Sequence, residues 1–165
     1  MFNKIAFIML MTASLGALAE DVIIRGNVAS KCVIHTDRAG VYGNPTPDTL
    51  STATADGGVT PVVRYDVVSA GSYKAVITTP SSFSSSPILD DVISWEGSVS
   101  VSEVSDAGMS AYTTNKRVYN NTSEFDLTIA GTVKFKPTSK AEYGYGKPFP
   151  GGEYRAIVVA ECIAL

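Results

Sequence analysis

Ile93-Ser94-Trp95-Glu96-Gly97-Ser98-Val99-Ser100-Val101-Ser102 is the stretch on which the fold turns. Ile93, Trp95, Gly97, Val99 and Val101 occupy alternate positions, and Ser or Glu fills every position between them. In an extended chain these two sets lie on opposite faces; on a helix they would scatter around the axis. The stretch therefore reads as a half-buried strand, with Trp95 as its expected core anchor.

The same period recurs on both sides of it. Phe125, Leu127 and Ile129 alternate with Glu124, Asp126 and Thr128, and the phase continues through Gly131, Val133 and Phe135. Two readings stay open there: one long strand bent at Ala130-Gly131, or a hairpin turn at the same place. Residues 62–68 place Val63, Tyr65 and Val67 on one face; Tyr73, Ala75 and Ile77 do the same after a turn at Ala70-Gly71, which predicts a hairpin. Val22, Ile24, Gly26 and Val28 are in phase with Cys32 and Ile34. Residues 154–165 are apolar on both faces, the pattern of a central strand covered on both sides.

Turn-rich stretches separate these segments. Residues 37–61, 79–87 and 137–152 are rich in Gly, Pro, Ser or Tyr and carry no helical period. Residues 105–109 fit one short helical turn. No internal repeat or domain linker is evident. Many short strands divided by turn signals predict an all-β chain folded as an antiparallel β-sandwich, with a closed barrel as the second architecture.

Composition limits the function. The chain has 165 residues, 13 Lys and Arg against 16 Asp and Glu, one His and two Cys. A net charge of −3 leaves no surplus to neutralise phosphates, which argues against nucleic acid as a partner. Hydrophobic residues at 45% argue against a disordered acidic tail.

The first residues read as an export signal. Lys4 precedes an apolar run of about fifteen residues, short of the roughly 20 that a membrane span needs. Ala17-Leu18-Ala19 then supplies a cleavage site. Residues 1–19 are thus the expected signal peptide and residues 20–165 a single domain, with no later apolar run long enough to span a bilayer. In an oxidising compartment Cys32 and Cys162 are expected to pair, stapling the first strand to the last. The short signal and the composition fit export in a bacterium, to the periplasm or the cell surface.

Catalytic chemistry finds little support. His35 is three residues from Cys32, so in a regular strand the two side chains point to opposite faces, which disfavours a nucleophile pair. Asp90-Asp91 and Glu20-Asp21 read as solvated ends, and Asp56-Gly57-Gly58 as a turn rather than a metal site. No nucleophile elbow, phosphate loop or calcium loop is present in the sequence. The expectation is a protein without enzymatic activity, metal or cofactor. Asn120-Asn121-Thr122-Ser123 holds two overlapping glycosylation sequons and reads as a polar turn.

Two segments remain as candidates for binding. Tyr143, Tyr145 and Phe149 sit in a Gly-rich loop, suited either to stacking on a carbohydrate or protein or to capping the core. Val22, Ile24, Gly26 and Val28 form an apolar row before the first Cys. They fit a strand added to the sheet of a neighbouring copy, or one paired within its own chain.

The signal, the alternating start ending at Cys32 and the final run Pro150-Gly151-Gly152-Glu153-Tyr154-Arg155-Ala156-Ile157-Val158-Val159 resemble the secreted fimbrial-subunit-like and spore-coat-U-like proteins of bacteria. The resemblance covers both ends and not the middle. It implies an immunoglobulin-like sandwich that assembles with copies of itself or a related subunit by donor-strand exchange, in a structural or adhesive role. Two features depart from that pattern. The second Cys lies at Cys162 rather than early in the chain, and a penultimate Tyr is missing from Ile163-Ala164-Leu165. The alternative function is a monomeric extracellular or periplasmic binding module for carbohydrate or protein.

Overall fold

The computed structural model describes residues 31–68 and 71–165. The expected signal peptide and the row Val22, Ile24, Gly26 and Val28 lie outside the described residues. The strands are β1 (Cys32–Arg38), β2 (Gly43–Thr46), β3 (Thr49–Ser51), β4 (Val62–Val67), β5 (Tyr73–Thr78), β6 (Ile93–Val104), β7 (Arg117–Tyr119), β8 (Thr122–Leu127), β9 (Gly131–Tyr143) and β10 (Val159–Ala164).

They form two antiparallel sheets. The first has β9 as its axis. The long strand β6 runs along one side of β9, from Ile93 opposite Tyr143 to Val104 opposite Val133. The other side of β9 is shared: β4 pairs with its first residues, up to Val63 opposite Phe135, and β3 with its last, from Ser51 opposite Lys140. β1 extends the sheet beyond β4, and β2 extends it beyond β3. The second sheet has the order β10-β5-β8-β7.

The apolar faces of the two sheets meet as the sequence period requires. Tyr65, Phe135, Val133 and Val99 come from the first sheet, and Phe125, Leu127, Ile77 and Ala75 from the second; all are buried. Phe135 bridges the layers, 5.4 Å from the Tyr65 ring and 4.5 Å from that of Phe125. Burial pushes the Tyr65 phenol far above its ordinary pKa, with Glu161 adding to the shift. Its hydroxyl donates to the Glu161 carbonyl. The short helical turn at Ala107–Tyr112 closes one end, with Asp106 as its N-cap accepting from Gly108 N. Its Met109 is buried, and the Tyr112 hydroxyl accepts from the backbone of Thr128 and Ile129.

The chain is an antiparallel β-sandwich, and the Cys32–Cys162 disulfide joins its first and last described strands. With their Cα atoms 6.4 Å apart, these cysteines tie the β1 edge of one sheet to the β10 edge of the other.

Several local expectations change. The passage from β8 to β9 is neither one bent strand nor a hairpin, because β8 pairs with β5 and β7 while β9 pairs with β3, β4 and β6. The chain steps between layers at Gly131, whose φ is +142°. β4 and β5 likewise belong to different sheets and do not form a hairpin. The start of the expected loop at 137–152 is the second half of β9, with Pro137, Ser139, Ala141 and Tyr143 facing inward. Pro137 is tolerated in the gap between β4 and β3, where a missing N–H breaks no ladder on that side. Backbone pairing resumes at Ser139, whose carbonyl accepts from Thr52 N. Trp95 is only half-buried and lies outside the main core. β10 is an edge strand, not a central one.

Candidate functional site

The β10 edge is the first candidate site. Leu165 N donates to Ser72 O, so the hydrogen-bonded positions along this pair are Ile163, Glu161 and Val159. The backbone N–H and C=O groups of Ala160, Cys162 and Ala164 therefore point away from β5. No strand among the described residues pairs with that side. Val159, Ile163 and Leu165 are exposed beside it. An open edge with apolar side chains is a template for another strand.

A groove of about 890 Å³ continues from this edge, where β1 and the segment before β10 diverge. Its lining includes Val41, Tyr42, Leu50, Val63, Tyr154 and Ile157. Gly152, at φ +152°, lies against Pro87 at one wall, and Arg155 pairs with Ser85 through backbone hydrogen bonds. Behind it an aromatic cluster holds the far end of the sandwich. The Phe83 ring lies 4.7 Å from Trp95, 5.1 Å from Tyr154 and 6.1 Å from Phe149. Trp95 serves this satellite cluster, its strand having run past the main core. The Tyr42 hydroxyl bonds with Ser139, and burial raises its pKa.

The candidate loop residues separate into two groups. Tyr143 is buried and stacks on Phe149 at 5.2 Å, and Phe149 also contacts Tyr154; these two cap the satellite cluster. Tyr145 alone projects into solvent, 97% exposed, at φ +54°. The loop is clasped from below. Asp90 accepts a short hydrogen bond from the Tyr143 hydroxyl and Asp91 pairs with Lys147 at 2.7 Å. The Tyr143 hydroxyl, with Lys147 behind it, holds the Asp90 carboxyl below its ordinary value. Lys147 does the same to Asp91. The Asp90-Asp91 pair, expected as a solvated loop end, thus fixes the loop that presents Tyr145.

His35 lies on the outer face of the first sheet, with Cys32 and Ile34 turned to the core. It is 3.6 Å from Asp66, within a row of pairs linking Arg64, Asp37, Lys134 and Glu103. These pairs lie at the surface with most of their side chains partly covered, and surface pairs of this kind contribute on the order of 1 kcal/mol or less each. Among the described residues no group of three or more His, Cys, Asp or Glu is placed to hold a metal ion.

The sequence reading missed the groove. Tyr42, Leu50 and Tyr154 come from three distant segments, each set among turn residues with no period to mark it. The edge did leave a signal, in the two apolar faces of residues 154–165. Compared with protein families, characterised proteins and solved structures, the chain matches none of them.

Proposed function

We propose that this chain is an exported, non-catalytic surface subunit of structural or adhesive role, joined to its neighbours by β-strand addition at the periplasm or cell surface of a bacterium. The open β10 edge, with Val159, Ile163 and Leu165 exposed beside it, carries this reading. The occupant is the row Val22, Ile24, Gly26 and Val28 of a second copy. Seven extended residues reach about 23 Å and the six residues of β10 about 20 Å, so the two lengths match. Main-chain bonds to Ala160, Cys162 and Ala164 supply affinity, and the alternate apolar side chains set register. Gly26 allows close backbone approach. The Lys31 carbonyl accepts from Val68 N, so the preceding chain joins the body at the end where β10 also finishes.

Sedimentation and electron microscopy of the exported protein test the reading. Oligomers or filaments are expected, and they disperse in Ile24→Asp and in Ala164→Pro, which removes an outward N–H and spares the β10–β5 ladder. A compact monomer at high concentration, with residues 20–29 protected from hydrogen exchange, would overturn it.

A further inference from the structure

We propose that the cleft beneath Tyr145 is a glycan site for neutral or amino sugars, separate from the β10 edge and independent of the assembly reading. The cleft encloses about 400 Å³ and is lined by Asp48, Val92, Ser94, Glu142, Tyr143 and the 144–146 turn. That volume lies within the ordinary range of small-ligand sites. A sugar ring has one apolar face and a rim of hydroxyls, and the cleft offers a match for both. Tyr145 supplies an aromatic face, 97% exposed. Asp48, Glu142 and Ser94 supply oxygen acceptors around it.

The site is built before any ligand arrives. Tyr143 N donates to Asp48 O, Lys147 N to Gly144 O and Phe149 N to Pro47 O, which pins the loop at three points. A Cβ at Gly144 would lie 2.9 Å from the Asp91 carboxyl and 3.0 Å from the Val92 carbonyl, so the turn is packed against its neighbour. The Asp48 carboxylate is oriented by the hydroxyls of Thr46 and Thr49, which donate to its Oδ1. Those bonds, the Thr46 hydroxyl foremost, hold its pKa below the ordinary value, so it is anionic at neutral pH. The local charge sets the sugar class. Asp48, Glu142, Asp90 and Asp91 surround the turn, and of the cations Lys147 is engaged by Asp91 and Lys140 by Glu142. Uronic and sialic acids are repelled, neutral sugars are accepted, and protonated amino sugars are favoured. A protein partner fits less well, because one isolated ring over a small concavity falls far short of the roughly 800 Å² per partner of a stable interface.

Ligand-observed NMR on the exported protein, with chitotriose, triglucosamine and trigalacturonate as probes, tests the site. Triglucosamine or chitotriose is expected to bind in about the millimolar range, as a single stacking contact with few hydrogen bonds allows. Trigalacturonate is expected not to bind. Tyr145→Ala should weaken binding at least about tenfold, Tyr145→Phe should retain it, and both should melt with the wild type, since the ring is in solvent. Three outcomes overturn the proposal: no binding of the neutral or amino trisaccharide at about 10 mM, equal binding by Tyr145→Ala, or equal binding of trigalacturonate. Loss of self-association in Tyr145→Ala without any sugar binding would make the tip a protein contact and overturn it as well.

Discussion

Gly131 shows how one residue directs the path of the chain. Its φ of +142° lies where a side chain is strained, and a Cβ there would stand 2.4 Å from Ser105 Oγ and 2.7 Å from Met109 Cε. It is the point at which the chain leaves the second sheet for the first. Gly131→Ala is expected to destabilise the fold by about 2–4 kcal/mol, combining backbone strain with crowding of Met109. Urea unfolding of the variant measures this, and a midpoint unchanged from wild type contradicts it. Gly97 in β6 has a different reason to be Gly. A Cβ there would come within 2.3 Å of Thr79 Oγ1, so the backbone of β6 and Thr79 approach each other directly. The alternation in residues 93–102 assigns Gly97 correctly to the inner face and does not disclose what presses on it.

Between elements, the period-two pattern gives the face of a strand and is silent about its partners. It placed Val63, Tyr65, Val67, Tyr73, Ala75, Ile77, Phe125 and Leu127 inward, and all are buried. It could not tell a hairpin from a step between layers, because β4 and β5 keep the same inward alternation on facing sheets. The run at 154–165 misled for a related reason. Apolar residues on both faces fit a strand buried on both sides, and equally an edge strand with one apolar face left uncovered; burial distinguishes them, and Val159 and Ile163 are about half exposed. The second half of β9 was hidden by Pro137 and by polar Ser139, both buried at a gap in the sheet. The clasp on the 144–149 loop was invisible because Asp90 and Tyr143 are 53 residues apart. That clasp has a pH signature. The Asp90 and Asp91 carboxyls are held below 3.8 in the folded chain, so their contribution is complete above that value and is lost as pH falls through the lower folded values. Exchange protection of the 144–149 amides is therefore expected to be constant from neutral pH down to about 5 and to fall below about 4, once intrinsic exchange rates are allowed for. In Asp91→Asn it is expected to be weaker throughout, and a loss of protection above pH 6 in the wild type would contradict this account.

In the whole molecule, one covalent bond spans almost the entire described chain. Cys32 and Cys162 enclose a separation of 130 residues, and the chain-entropy relation assigns such a closure about 5 kcal/mol. The Cys32→Ser, Cys162→Ser double variant is expected to unfold at a markedly lower urea midpoint, and an equal midpoint would show the bond to be energetically idle. The same bond has a mechanical consequence. If the chain is pulled from the residue before Cys32 and from Leu165, tension passes from sulfur to sulfur, and the segment between them carries no load. Under non-reducing conditions a single-molecule force measurement should record almost no lengthening. After reduction the sandwich should rupture and release about 45 nm of contour, the reach of 130 extended residues. In a fibre joined by strand addition at β10, load inside each subunit would pass through this bond and leave both sheets slack, so the hydrogen-bonded junction between copies would yield before the sandwich does.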